Sequence, residues 1–195
     1  IIQSVCNTFG TDVIAAFTAA LGIEQIATMP MLSFGVAVSV FVAQNFGAKN
    51  ISRVRQGVIK TSIINLLLSL VMALVMRHWG SGIVGLFIGS EKTSVIKIAH
   101  DYLFVSTIFY FFLGQIFIFR NALQGIGKPL IPLTSSLAEL MIRSFAAVYL
   151  AVEFGYWGIF YAGPIAWITA SVIVATGYYI NIKKIIHQRR LKLIK

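Results

Sequence analysis

Two charged residues stand inside an otherwise apolar stretch, LIPLTSSLAELMIRSFAAVYLAV at 130–152: Glu139 and Arg143. An acid four residues ahead of a base lies on the same helical face in the favourable order. Pro132 and Ser136 extend that stripe at the same spacing. An unpaired charge amid lipid costs about 3 kcal/mol or more, so the two are expected to pair and to face the interior of a bundle. Such a pair can be a structural salt bridge or a substrate or proton site, and the residues alone leave both open. Ser106, Tyr110, Gly114 and Asn121 share a second face, with Gln115 beside it. An aromatic and amide face can bind flat, cationic or amphipathic molecules by stacking and cation–π contact. The same groups can instead serve as interhelical hydrogen bonds, worth about 0.6 kcal/mol each. Asn7 joins Tyr110, Gln115, Glu139 and Arg143 as a candidate for lining a substrate cavity. Gln44 and Asn45 read as structural groups near a helix end, and Asp12 and Glu24 as solvated groups near a surface.

Residues for enzymatic chemistry are missing. Cys6 is the single cysteine, so neither an intrachain disulfide nor a cysteine-based zinc site can form. His78, His100 and His187 lack metal-ligand spacing, and no phosphate loop, HExxH or Ser-His-Asp order occurs. Neither a catalytic residue, a metal nor a cofactor is expected.

The segments that must position these groups are written in the charge distribution. Of the 195 residues, 58% are hydrophobic and 11% charged, against roughly 25% charged in soluble domains. A chain of this size buries only about 70% of its surface on folding, so lipid must be the solvent for most of it. No charge occurs between Glu24 and Lys49, Lys60 and Arg77, Asp101 and Arg120, or Glu153 and Lys183. A bilayer core about 30 Å thick takes roughly 20 apolar residues, and each gap meets or nearly meets that length. The expected fold is an all-α polytopic bundle of six spans, near 1–22, 25–48, 54–77, 98–124, 129–152 and 156–181. The breaks fall at Gly22, Gly80, Gly82, Gly125, Gly127 and Gly155, with Pro129 opening the fifth helix. Residues 80–90 are expected along the membrane surface or as a short cap, 1–182 as the transmembrane unit, and 183–195 as a basic tail. Because the chain opens on apolar Ile1, its first helix is expected to lack its beginning.

The net charge of +10 reads as a positive-inside bias rather than a nucleic-acid surface. Lys49, Arg53, Arg55, Lys60, Arg120, Lys128 and the six basic residues from Lys183 to Lys195 fall on one side of an alternating topology, without an acid among them. Arg77, Lys92 and Lys97 fall on the other. The rich side is expected to be cytoplasmic, with the carboxy-terminus on it, in a plasma (inner) membrane. Small-residue stripes at every fourth position, Gly35, Ser39, Ala43 and Gly47, and Gly158, Ala162, Ala166 and Ala170, are expected to be packing faces. Pro30 and Pro164 lie inside spans and should kink them.

Five stretches resemble one family in the right order. VSVFVAQNFGAKNISRVRQG at 38–57 is similar to the loop between the eighth and ninth helices of multidrug and toxic compound extrusion (MATE) transporters. NTFGTDVIAAF at 7–17, FRNALQGIGK at 119–128, LAELMIR at 137–143 and GPIAW at 163–167 resemble the ends of its seventh and tenth helices, its eleventh and its twelfth. The resemblance implies the carboxy-terminal six-helix lobe of a two-lobe exporter, whose partner is an amino-terminal lobe. Such proteins expel organic cations and other toxic compounds in exchange for Na⁺ or H⁺, from a chamber between lobes. Sodium-coupled members carry an acid on the tenth helix, about ten residues before the leucine matching Leu123, where this sequence has Leu113 or its neighbours Phe112 and Gly114, none of them acidic. The resemblance therefore implies that any coupling acid belongs to the other lobe. A lipid-linked oligosaccharide flippase of the same superfamily would call for a more charged cavity. A membrane anchor or assembly subunit would have no cavity of substrate size.

Overall fold

The computed structural model describes residues 9–89 and 92–194, and beyond a short turn at Phe9 its ordered elements are all α-helices. They are α1 Thr11–Gly47, α2 Ile51–Ile88, α3 Thr93–Ile108, α4 Tyr110–Gly125, α5 Leu130–Phe154 and α6 Tyr156–Ile194. Among the described residues there are six helices, with bounds that differ from those expected. α1, α2 and α6 are each long and apolar enough to cross a membrane, and α3 with α4 forms a fourth such unit bent by 53°. α5 has 25 residues, about 37 Å at 1.5 Å per residue, and packs along α6.

The break expected at Gly22 is absent, and α1 runs through it for 37 residues. A lone glycine in a helix costs only about 1 kcal/mol, which tertiary packing outweighs. Gly80 and Gly82 likewise fail to end α2, so 80–88 continues the helix instead of lying on the surface. At Gly80 the missing side chain admits the His100 ring of α3. Conversely, the single span expected over 98–124 breaks at Phe109, where neither proline nor glycine occurs. There Phe109 N–H bonds Ser106 O and Phe112 N–H bonds Phe109 O, tightening one turn to three-residue hydrogen bonds. Asn65 of α2 steadies the turn by donating to Phe111 O at 3.1 Å, and its side chain occupies the space that Gly114 leaves open. α6 carries on past residue 182, so the basic tail is a helical extension.

α1, α2, α3, α4 and α6 enclose the core. Ala20, Leu103 and Phe160 fill one layer, Met31, Tyr110 and Trp167 the middle, and Val42, Leu123 and Tyr178 the third. Leu74, Leu86, Leu140, Met141, Phe145 and Val152 point outward, as lipid-facing side chains do. Gly35 packs on Asn121 and Phe117 of α4, and Ser39 O approaches Gly125. Ala43 and Gly47 correct the expected stripe, for both are exposed in this lobe. Four residues turn a helix by 400°, so a stripe of period four drifts about 40° per step, and Val38 and Val42 take over the contact.

α5 reverses into α6 through Gly155, whose φ of 60° and ψ of −145° suit glycine alone. The two helices then close on each other until Gly158 meets the Leu150 backbone. A methyl group at Gly158 must displace main chain, an overpacking that costs about 1–3 kcal/mol. In the full-length protein Gly158→Ala should therefore lower the melting temperature in detergent. Gly22→Ala, which meets nothing within 4 Å, should not. Equal melting of the two variants would contradict this packing.

Candidate functional site

Glu139 and Arg143 do meet, with Arg143 Nη2 2.7 Å from Glu139 Oε1. A second guanidinium completes the cluster: Arg120 of α4 places Nη2 2.6 Å from Glu139 Oε2. Charge-assisted bonds of this length are the strong class. Arg120 Nη2 also lies 3.4 Å from Ser135 Oγ, and Ser135 Oγ donates to Ala170 O of α6 at 3.2 Å. Three helices are thereby pinned at one level. Arg143 also lies over the Trp167 ring, 5.9 Å from its centroid. The cluster is sheltered rather than sealed, since Glu139 is 17% and Arg143 33% exposed. Two guanidiniums against one carboxylate give it a net charge of plus one when ionised.

Arg120 belongs to this site and not to the cytoplasmic charge set where sequence position put it. It sits five residues before the end of α4, and a long side chain can carry its head far from its own backbone. One signal was available. A carboxylate has two oxygens able to accept, and a partner at i+4 occupies only one.

The structure separates the aromatic and amide candidates. Tyr110 is fully buried against Trp167, with ring centroids 6.2 Å apart, and is part of the core. Gln115, five residues on and so about 140° around the helix, faces α2, where its Oε1 accepts from Ser62 Oγ at 3.0 Å. Gln115 lines a cleft of about 450 Å³ between α2, α4 and α6, with Phe111, Phe112, Phe119 and Tyr179. Asn121 donates to Phe117 O of its own helix. Asn7 lies outside the described residues.

Glu24 overturns its reading as a solvated group. With no loop at Gly22, it lies inside α1, only 8% exposed. Tyr102 Oη of α3 donates to its Oε2 at 2.7 Å. Asp12, by contrast, is exposed at the start of α1 and accepts from Ser94 Oγ at 3.1 Å.

Comparison with known proteins agrees with this architecture. The MatE family model matches residues 1–150. The chain is 27% identical over 185 residues to the probable multidrug resistance protein YoeA of Bacillus subtilis, covering 91% of this chain and 38% of that one. It is 30% identical over 144 residues to the probable multidrug resistance protein YpnP of the same organism, covering 74% and 32%. Among solved structures, the Vibrio cholerae MATE transporter VcmN in its bent form superposes with a TM-score of 0.85 at 23% identity, over 93% of this chain and 41% of that one. A MOP superfamily transporter from Pyrococcus furiosus gives 0.84 at 21%, over 94% and 42%. The chain thus spans between 32% and 42% of the length of these proteins.

The cluster generates an ordered expectation. Removing Glu139 strands two guanidiniums, whereas removing either arginine leaves the carboxylate one partner. Breaking a fully buried pair costs about 3–5 kcal/mol, and partial exposure here brings that to about 1–3 kcal/mol. In the full-length protein Glu139→Gln should lower the melting temperature most, Arg120→Leu less, and the more exposed Arg143→Leu least. A melt in which Glu139→Gln is the mildest of the three would contradict the assignment of Glu139 as the shared anion.

Proposed function

Because the chain belongs to the MatE family, whose members are transporters and not enzymes, we propose that it is one lobe of a two-lobe secondary antiporter. In this reading the complete protein exports drugs, toxic organic cations or metabolites in exchange for Na⁺ or H⁺. The observation that carries it is the extent of the superposition: 93% of this chain falls on 41% of a MATE transporter, the proportion of a single lobe. Alternating access requires two repeats rocking about a shared site, so the necessary partner is an amino-terminal six-helix lobe. The acid that the family resemblance would put on the tenth helix has only Phe112, Leu113 or Gly114 at its position, so we assign the principal coupling site to that partner lobe. No organic cofactor takes part.

The cleft at Gln115 supports small amphipathic substrates, since aromatic rings and one amide line it and it carries no charged side chain. That favours export over oligosaccharide-phosphate flipping, which calls for a more strongly charged cavity. Its volume of about 450 Å³ also argues against a purely anchoring role, because drug-sized ligands occupy clefts of about 300–1,000 Å³.

Orientation follows from the helix order. The α1–α2 turn, the α4–α5 turn and the end of α6 lie on one side in this reading, and with Arg120 set aside eleven of the sixteen Lys and Arg belong there. We place that side in the cytoplasm of a cell whose plasma membrane holds the protein. In full-length, Cys6-free protein, cysteines at Ser52 and Gln188 should resist an impermeant thiol reagent in intact cells; labelling of both from outside would reverse the orientation. For transport, full-length protein in liposomes under an imposed proton or Na⁺ gradient should move ethidium, while this chain alone should match empty vesicles. Failure of the full-length protein to move ethidium or any of a panel of organic cations under either gradient would refute the export reading.

A further inference from the structure

Glu24 is the acid that the arginine cluster leaves out. Its Oε2 accepts one hydrogen bond, from Tyr102, while Oε1 is buried and has no partner among the described residues. Tyr110 Oη is also buried without a partner and is close enough to interact electrostatically with Glu24. Tyr102, Ser106 and Tyr110 follow one another at four-residue spacing through the bend at Phe109. The bend therefore keeps a line of hydroxyls along the side that meets α1. The titratable and charged groups that act on Glu24 are Tyr102 of α3, Tyr110 of α4 and Arg143 of α5. No cation of the described residues forms a salt bridge with it: Arg143 acts on it only through space, with its guanidinium committed to Glu139.

A carboxylate withdrawn from water with one neutral hydrogen bond needs a compensating positive charge. Hard metal cations collect about six oxygens, and among the described residues the side chains around Glu24 offer its carboxylate and a few hydroxyls. A proton needs only the free oxygen. We propose that Glu24, held by Tyr102 and flanked by Tyr110, is a proton-binding site of this lobe, additional to any in its partner lobe. The proton passes from hydronium to Oε1, forming an O–H bond and releasing water, while Tyr102 keeps donating to Oε2. Two arginines, Glu139 and ionised Glu24 sum to zero; protonation of Glu24 changes the sum to plus one. A role in coupling rests on the antiport reading above: the added charge disfavours a cationic substrate, so proton and substrate alternate.

The test is infrared spectroscopy of the purified full-length protein without substrate, following the carbonyl stretch of neutral carboxylic acids. At neutral pH the wild type should show a protonated-carboxyl band that is lost in Glu24→Gln and shifted in Tyr102→Phe. Gln is isosteric and still accepts from Tyr102, and Glu24→Asp, which retains a titratable carboxyl at a shifted frequency, guards against misfolding. A neutral-pH spectrum unchanged by Glu24→Gln would overturn the proposal, and loss of the band on adding NaCl at constant pH would assign the site to sodium instead. Since no substrate is used, this result is independent of whether ethidium transport succeeds. In liposomes, Glu24→Gln should then lose proton-driven ethidium flux while still binding ethidium, and undiminished flux would overturn the coupling role.

Discussion

Glu139 holds a guanidinium on each of its two oxygens, from Arg120 on α4 and Arg143 on its own helix, and the standing of α5 in the lobe depends on that bridge. α5 otherwise packs chiefly along α6 and touches α4 little, and its lipid-facing side is almost wholly apolar. Lipid offers neither hydrogen bonds nor a hydrophobic drive between helices. A helix joined at one side by small-residue packing therefore needs a polar contact to fix it at the other. The same economy recurs elsewhere: Asn65 ties α2 to the bend before α4, and Tyr102 ties α3 to α1 through Glu24. Around these points, glycine and alanine positions let backbones approach.

These contacts line up along the lobe. Glu24 and Tyr102 come first, then Tyr110 against Trp167, then Arg143 over the same indole, then Glu139 and Arg120. From Tyr102 to Arg120 is eighteen residues, about 27 Å followed along α3 and α4, and their 53° bend makes the direct span shorter than a hydrocarbon core of about 30 Å. Polar groups at such depth are retained at a cost in stability. The bend at Phe109 maintains the succession, because it turns Tyr110 into the core while Gln115 turns out toward the aromatic cleft.

Much of the architecture was legible in the sequence, for reasons that also explain the misreadings. Charge-free gaps reported the membrane-facing helices because lipid penalises charge wherever it is exposed. That rule is silent on a charge buried in protein, and so Glu24 was assigned to a surface. Gly22, Gly80 and Gly82 looked like punctuation, yet in lipid a glycine is as often a place for a neighbour to enter, as His100 does at Gly80. The bend at Phe109 left no residue signature, since its tightened hydrogen bonds are matched by Asn65 from another helix. The i,i+4 spacing predicted the contact of Glu139 with Arg143, a local relation. Arg120 is nineteen residues away from Glu139, and only tertiary structure joins them. The family resemblance read from short motifs agrees with the family match over 1–150.

The claim on which this account turns is that Arg120 and Glu139 are energetically coupled across α4 and α5. A double-mutant cycle measures it directly, using Arg120→Leu, Glu139→Leu and the double variant in the full-length protein, with reversible unfolding in detergent as the readout. Residues joined by an ion pair show coupling of about 0.5–3 kcal/mol, and the account predicts a value above about 1 kcal/mol, with the double variant more stable than the sum of the two losses requires. Strictly additive losses would mean that the two side chains do not hold α5 to the lobe.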